Sequence, residues 1–119
     1  MKIEDIAIIC HEANVALCET QMDFSQSSWD LAPNWQKKSA IEGVKYHINN
    51  LNATPEDSHK SWMEHKIKEG WIYGPIKDVN KKTHPCMIPY QDLPKSQQIK
   101  DYLYSAIVKT LIPFLTKRF

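Results

Sequence analysis

With 119 residues, 42% of them hydrophobic and 24% charged, the chain fits one domain and has the balance of a folded protein rather than a disordered one. No apolar run approaches the ~18 residues of a membrane span, and Cys10, Cys18 and Cys86 form no C-x-x-C pair, which favours a reducing cytoplasm over secretion or a zinc ribbon. The net charge is +1, and Arg118 is the one arginine among fifteen basic residues, so the guanidinium forks of duplex readers are missing and no specific DNA or RNA partner is expected.

In chain order, Ile3, Ile6, Cys10, Ala13 and Leu17 recur at steps of three and four and mark the stripe of a first helix. Glu4 and Asp5 sit in its first turn, where the helix dipole favours acids and where a signal peptide would be basic. A connector punctuated by Ser and Pro leads to a second helix that opens near Pro33, with Ala40, Val44, Ile48 and Leu51 as its stripe. Thr54, Pro55, Glu56 and Asp57 combine a cap, a first-turn proline and two acids, and predict a third helix that carries Trp62, Met63, Lys66 and Ile67. Gly70 stops it. Four prolines and Gly74 exclude helix between Trp71 and Pro94, a long ordered loop with room for a short β-hairpin. The last helix is predicted from about Lys95 to Leu111, with Ile99, Leu103, Ala106, Thr110 and Phe114 on one side and Pro113 ending or kinking it. The fold class is all-α: about four helices and a long loop in a single domain over residues 1–119.

The charges are unevenly spread. Residues 1–30 hold Lys2 against six acids, while the remainder carries six more positive than negative charges. Metal binding is not expected: Cys10 and His11 point about 100° apart on a helix, His59 and His65 miss the three- or four-residue spacing of a shared face, and His84 and Cys86 flank a proline. With Gly43, Gly70 and Gly74 as its glycines, the chain cannot form a phosphate-cradling loop or dinucleotide fingerprint. Neither an enzyme nor a bound cofactor is expected.

A cluster of rings and cations stands out instead. His59, Trp62 and Lys66 share a face of the third helix, and the loop brings Trp71, Tyr73, Lys77, Lys81, Lys82, His84 and Tyr90 close to it in sequence. Rings offer a stacking surface for a base, and lysines offer point charges for phosphate, with Lys77 and Lys82 the expected phosphate contacts. The plainer reading makes Trp62 and Trp71 core residues and leaves the lysines solvated. His84-Pro85-Cys86 is expected to be a structural clasp in which Cys86 packs as a small hydrophobe and the His84 ring bonds a loop carbonyl or carboxylate. On the first helix, His11 and Asn14 interrupt an apolar side and are candidates for a polar wall opposite Trp62.

The runs H-K-S-W (His59 to Trp62), G-W-I-Y-G-P-I-K-D (Gly70 to Asp78) and K-K-T-H-P-C-M-I-P-Y-Q-D-L-P (Lys81 to Pro94) resemble the ryanodine-receptor repeat, or RyR, domain. The resemblance covers residues 55–112 as the core, with residues 1–54 as an N-terminal helical part. Cys10 to Asn14 and the D-F-S-Q-S-S-W segment from Asp23 are similar to the short single-domain members of phages and bacteria. It implies an α-helical fold with an ordered loop, and a nucleotide-like ligand held by aromatic residues that correspond to Trp62. A calcium-release role is not expected of a lone copy, and a second copy of the chain could supply the other half of a tandem pair. The expected function is a non-enzymatic small-ligand module with Trp62, Lys66, Trp71, Tyr73, Lys77, Lys82, His11, Asn14 and His84 at its site. The expected partner is a nucleotide-derived second messenger, sequestered from host defence in the host cytoplasm. The alternative is a protein-interaction module that uses the same aromatic surface. No membrane partner is expected.

Overall fold

The computed structural model describes residues 1–116. The Lys2 backbone N–H donates to Asp5 Oδ2 at 2.7 Å and starts helix α1 (Ile3–Thr20). Its inward row is Ile6, Ala7, Cys10, His11 and Cys18, all buried. A short 3₁₀ turn at Trp29–Leu31 then leads to α2 (Asn34–Asn49), with Pro33 at its N-cap. Ile6, Ala7 and Cys10 of α1, Trp29, Val44 of α2 and Val108 of α4 (Lys95–Leu111) form the core. Fully burying a branched side chain such as Ile6, Val44 or Val108 is worth about 1.5–3 kcal/mol, so this three-helix contact supplies most of the apolar cohesion.

Helix α3 (Pro55–Lys68) is held differently. Thr54 and Asp57 form a reciprocal capping box at its start, and Gly70, at φ +89°, closes its end with Trp71 N–H donating to the Lys66 carbonyl. Its inward side is polar. His47 of α2, 1% exposed, places Nε2 3.2 Å from Ser58 Oγ of α3 and 3.4 Å from Ser105 Oγ of α4, and so ties three helices at one ring. The buried positions of α3 are His59 and Lys66, while Ile67 is 59% exposed. Leu51, expected to extend the α2 stripe, lies beyond the helix and is exposed.

Two further expectations are corrected. On α4 the row Ile99, Ala106, Thr110 and Phe114 faces outward, because Ser105 and Val108, with Tyr104 and Ile107 beside them, meet α1 and α2. The Tyr104 hydroxyl explains the choice: it donates to the Ala40 carbonyl of α2 at 2.6 Å. The loop holds no hairpin. Strands β1 (Ile72–Tyr73) and β2 (Thr83–His84) pair in parallel, and the single antiparallel bridge, Asp78 to Thr83, lies beside them. Asp78 Oδ1 accepts from the backbone N–H groups of Asn80 and Lys81, which turns the chain back so that β2 runs in the direction of β1. The molecule is all-α apart from these two short strands, and no helix among the described residues is long and apolar enough to cross a membrane.

Gly43 faces the Tyr104 ring so closely that an added Cβ would stand 2.6 Å from the hydroxyl oxygen. Helix propensity alone favours alanine there by about 1 kcal/mol. The packing reverses the sign, and Gly43→Ala is expected to lower the unfolding free energy by about 1–3 kcal/mol in urea melts. Combining it with Tyr104→Phe, which removes the obstructing oxygen, should cost less than the two single changes added together.

Candidate functional site

A row of five rings lines the floor of a cleft of about 740 Å³. It begins at His59 of α3, which stacks on Trp62 one turn later with ring centroids 5.5 Å apart and planes 24° apart. Trp62 meets the edge of His84 at 5.0 Å, His84 meets Trp71 at 6.2 Å, and Trp71 lies 5.9 Å from Trp35. Helix α3 supplies two members, the loop supplies two, and the first turn of α2 supplies Trp35. The loop is held to this course by the Gly70 turn, by the β1–β2 pair and by the His59 ring, whose Nε2 donates to the Ile88 carbonyl at 2.8 Å.

Cations gather at the Trp35 end. Lys66 Nζ lies 4.8 Å from the Trp35 centroid and 5.2 Å from that of Trp71, and Lys77 Nζ reaches the same Trp35 ring at 5.2 Å. Glu69, 3.7 Å from Lys66 Nζ, is half exposed. Lys100 enters the cleft from α4. Burial, followed by the fields of Lys77, Lys66 and Lys100, pushes the His84 imidazole down to about 4, so that ring is neutral in the working range. Burial holds the Cys86 thiol above its ordinary value and pushes Cys10 up to about 12, so neither is a ready thiolate. Among the described residues no group of three or more His, Cys, Asp or Glu side chains is placed to hold a metal ion. The arrangement offers stacking, hydrogen bonding and attraction for an anion.

Of the residues singled out from sequence, Trp62, Lys66, Trp71, Lys77, His84, His11 and Asn14 all line this one cleft. His11 and Asn14 stand on the α1 wall of the same chain, with the His11 ring 2.7 Å from the Ser27 carbonyl and edge-on to Trp29. Tyr73 and Lys82 lie outside it. Tyr73 is exposed on β1, and Lys82 donates from Nζ to the Glu69 carbonyl at 2.7 Å, closing the end of α3. Among the described residues the His84 ring bonds no carbonyl or carboxylate: its Nδ1 accepts from the Cys86 backbone N–H at 3.0 Å, because the chain turns at Pro85 instead of running extended. Cys86 is half-buried and lines the cleft. Sequence reasoning missed Trp35, Lys100 and Asp101. The last two adjoin in the fourth helix, and Trp35 follows the Pro33 helix start, but neither position carries a local sign of where it points.

These features define a helical module built around a ring-lined, lysine-edged cleft, with the floor made by α2, α3 and the loop. The family model of the RyR domain matches residues 34–116, more than half of the chain, and the protein belongs to the RyR domain family. The match begins at the first residue of α2, so that helix is part of the family's span, and α1 precedes it.

The electrostatic reading is directly measurable. In a side-chain NMR titration His84 is expected to take up its proton at about pH 4, and Lys77→Met, by removing a neighbouring positive charge, should move the midpoint up towards 6.5. A midpoint that does not move would place the Lys77 ammonium too far from the ring to matter.

Proposed function

We propose that this RyR domain is a non-enzymatic module that binds a small anion bearing an aromatic ring, a nucleotide-derived second messenger. The observation that carries the reading is the five-ring row with ammonium groups converging at one end, within a concave site of a size that small ligands occupy. A base stacks on an aromatic face, and a phosphate sits beside lysine. Trp62 is the stacking partner, Lys77 takes the phosphate with the buried Lys66 adding its charge from beneath, and the α1 wall with His11 and Asn14 offers hydrogen bonds to the polar edge of the ligand.

The likeness of the Cys10–Asn14 and Asp23–Trp29 segments to short phage members supports a finer role, in which the protein withholds the messenger from a host defence effector in the cytoplasm. Docking of a protein on the same aromatic surface is the weaker alternative, because such a patch would be flat. The rings here line a hollow.

Native mass spectrometry of freshly purified protein tests the reading, with a copurified nucleotide mass as the expected result. Base stacking is worth about 1–3 kcal/mol, so Trp62→Ala is expected to weaken binding by about ten- to a hundredfold in calorimetry while the helical circular dichroism is kept. A variant that unfolds would assign Trp62 to the core, and one that binds as well as the parent would remove it from the site.

A further inference from the structure

We propose that Asp101 and His59 hold one proton between them in the cleft wall, and that this proton sets how strongly the cleft takes an anion. The proposal rests on the ligand reading above for its consequence, and on the geometry of the free protein for its basis. The Ile88 carbonyl can only accept, so His59 Nε2, 2.8 Å away, carries the ring hydrogen. The other ring nitrogen of a neutral His59 is then a bare lone pair. Facing it at 3.6 Å is Asp101 Oδ2, and no donor among the described residues hydrogen-bonds the Asp101 carboxyl. The His59 side chain is 5% exposed and that of Asp101 25%. A carboxylate and a lone pair that face each other repel, and one proton between them turns the repulsion into a hydrogen bond, as a carboxylic acid donating to Nδ1 or as an imidazolium beside a carboxylate.

The surroundings keep that proton in play near neutral pH. Burial pushes the Asp101 carboxyl up to about 7 against the opposing pull of Lys100, its neighbour on α4. Burial lowers His59 on α3, with the Ile88 and Cys86 carbonyls opposing. From the loop, Cys86, Tyr90 and His84 face the pair. Burial raises the thiol and the phenol, and it pushes the imidazole down to about 4, so all three are uncharged where Asp101 titrates. With its proton the pair is neutral, and without it the pair adds one negative charge to the wall. The pair stands at the His59 end of the ring row, opposite Lys66 and Lys77. An anion lying along the row meets attraction at one end and, above pH 7, repulsion at the other. Binding therefore takes up protons, and affinity is full below about 7 and falls as pH rises through it.

Two measurements on the intact protein test this. In the free protein, the ¹³C shift of the Asp101 carboxyl is expected to titrate near pH 7, and a midpoint below 5 overturns the pair. This result stands whether or not any nucleotide binds, so failure of the ligand reading is distinguishable from failure of the proton pair. For the coupling, the probe is 8-anilinonaphthalene-1-sulfonate, an aromatic anion whose charge does not change in this range. Its affinity is expected to fall about three- to tenfold from pH 6 to pH 8, the change produced when a bound anion shifts the pair by about one pKa unit. Asp101→Asn, whose amide N–H donates to Nδ1 at every pH, should hold its pH 6 affinity at pH 8. Equal affinity of the parent at both pH values, no probe binding at either, or an Asp101→Asn variant that keeps the parent's pH profile would overturn the coupling. Should that variant not fold, the parent's probe profile and the Asp101 titration decide the matter.

Discussion

The Lys66 ammonium is the joint on which the site depends. It is 3% exposed, on the α3 face that it shares with His59 and Trp62, and a buried charge is costly unless something answers it. Two indole faces and the Glu69 carboxylate answer it here. Each cation–ring contact contributes about 0.5–2 kcal/mol, and the two rings come from different parts of the chain, Trp35 from the start of α2 and Trp71 from the first residue after the Gly70 turn. One side chain thus fixes the angle of α3, the entry of the loop and the position of the row's last two rings.

The remainder of the cleft follows from that joint by geometry. Once Trp71 is seated, β1 must leave beside it, and the parallel pairing of β2 carries His84 back between Trp71 and Trp62. His84 reaches this place with its Nδ1 already occupied by the Cys86 N–H, so it enters the row as a neutral ring. His47 performs the matching task deeper in the bundle, joining α2 to α3 and α4 through the hydroxyls of Ser58 and Ser105. Its Nδ1 has no partner among the described residues, which is the cost of using a polar side chain as a pin where three helices meet.

The four helices were readable because their signals are local: the Thr54 cap, prolines at helix starts, Gly70 at a stop and the three-and-four recurrence in α1. The cluster of rings was readable for a related reason, since His59, Trp62, Trp71 and His84 lie within a short stretch of chain. What escaped the sequence was whatever tertiary contact decides. Lys66 is buried and Ile67 exposed because two tryptophans, one of them 31 residues upstream, close over the charged side chain. On α4 two rows compete for the interior, and the Tyr104 hydroxyl, reaching an α2 carbonyl, tips the helix towards the row that holds Ser105 and Val108. The parallel course of β2 depends on the Asp78 turn, whose composition fits a hairpin equally well.

Helix α1 and the segment after it lie outside the residues matched to the family, yet they close the cleft with Cys10, His11, Asn14, Asp23, Ser25 and Gln26. The floor and the wall therefore come from different parts of the chain, one inside the family's span and one before it. Residues 34–116 carry the rings and the lysines, while the opposite face is drawn from a stretch whose sequence the family pattern does not dictate. Substitutions in α1 can reshape that wall while the row of rings stays intact, as a lock keeps its cylinder and changes its pins.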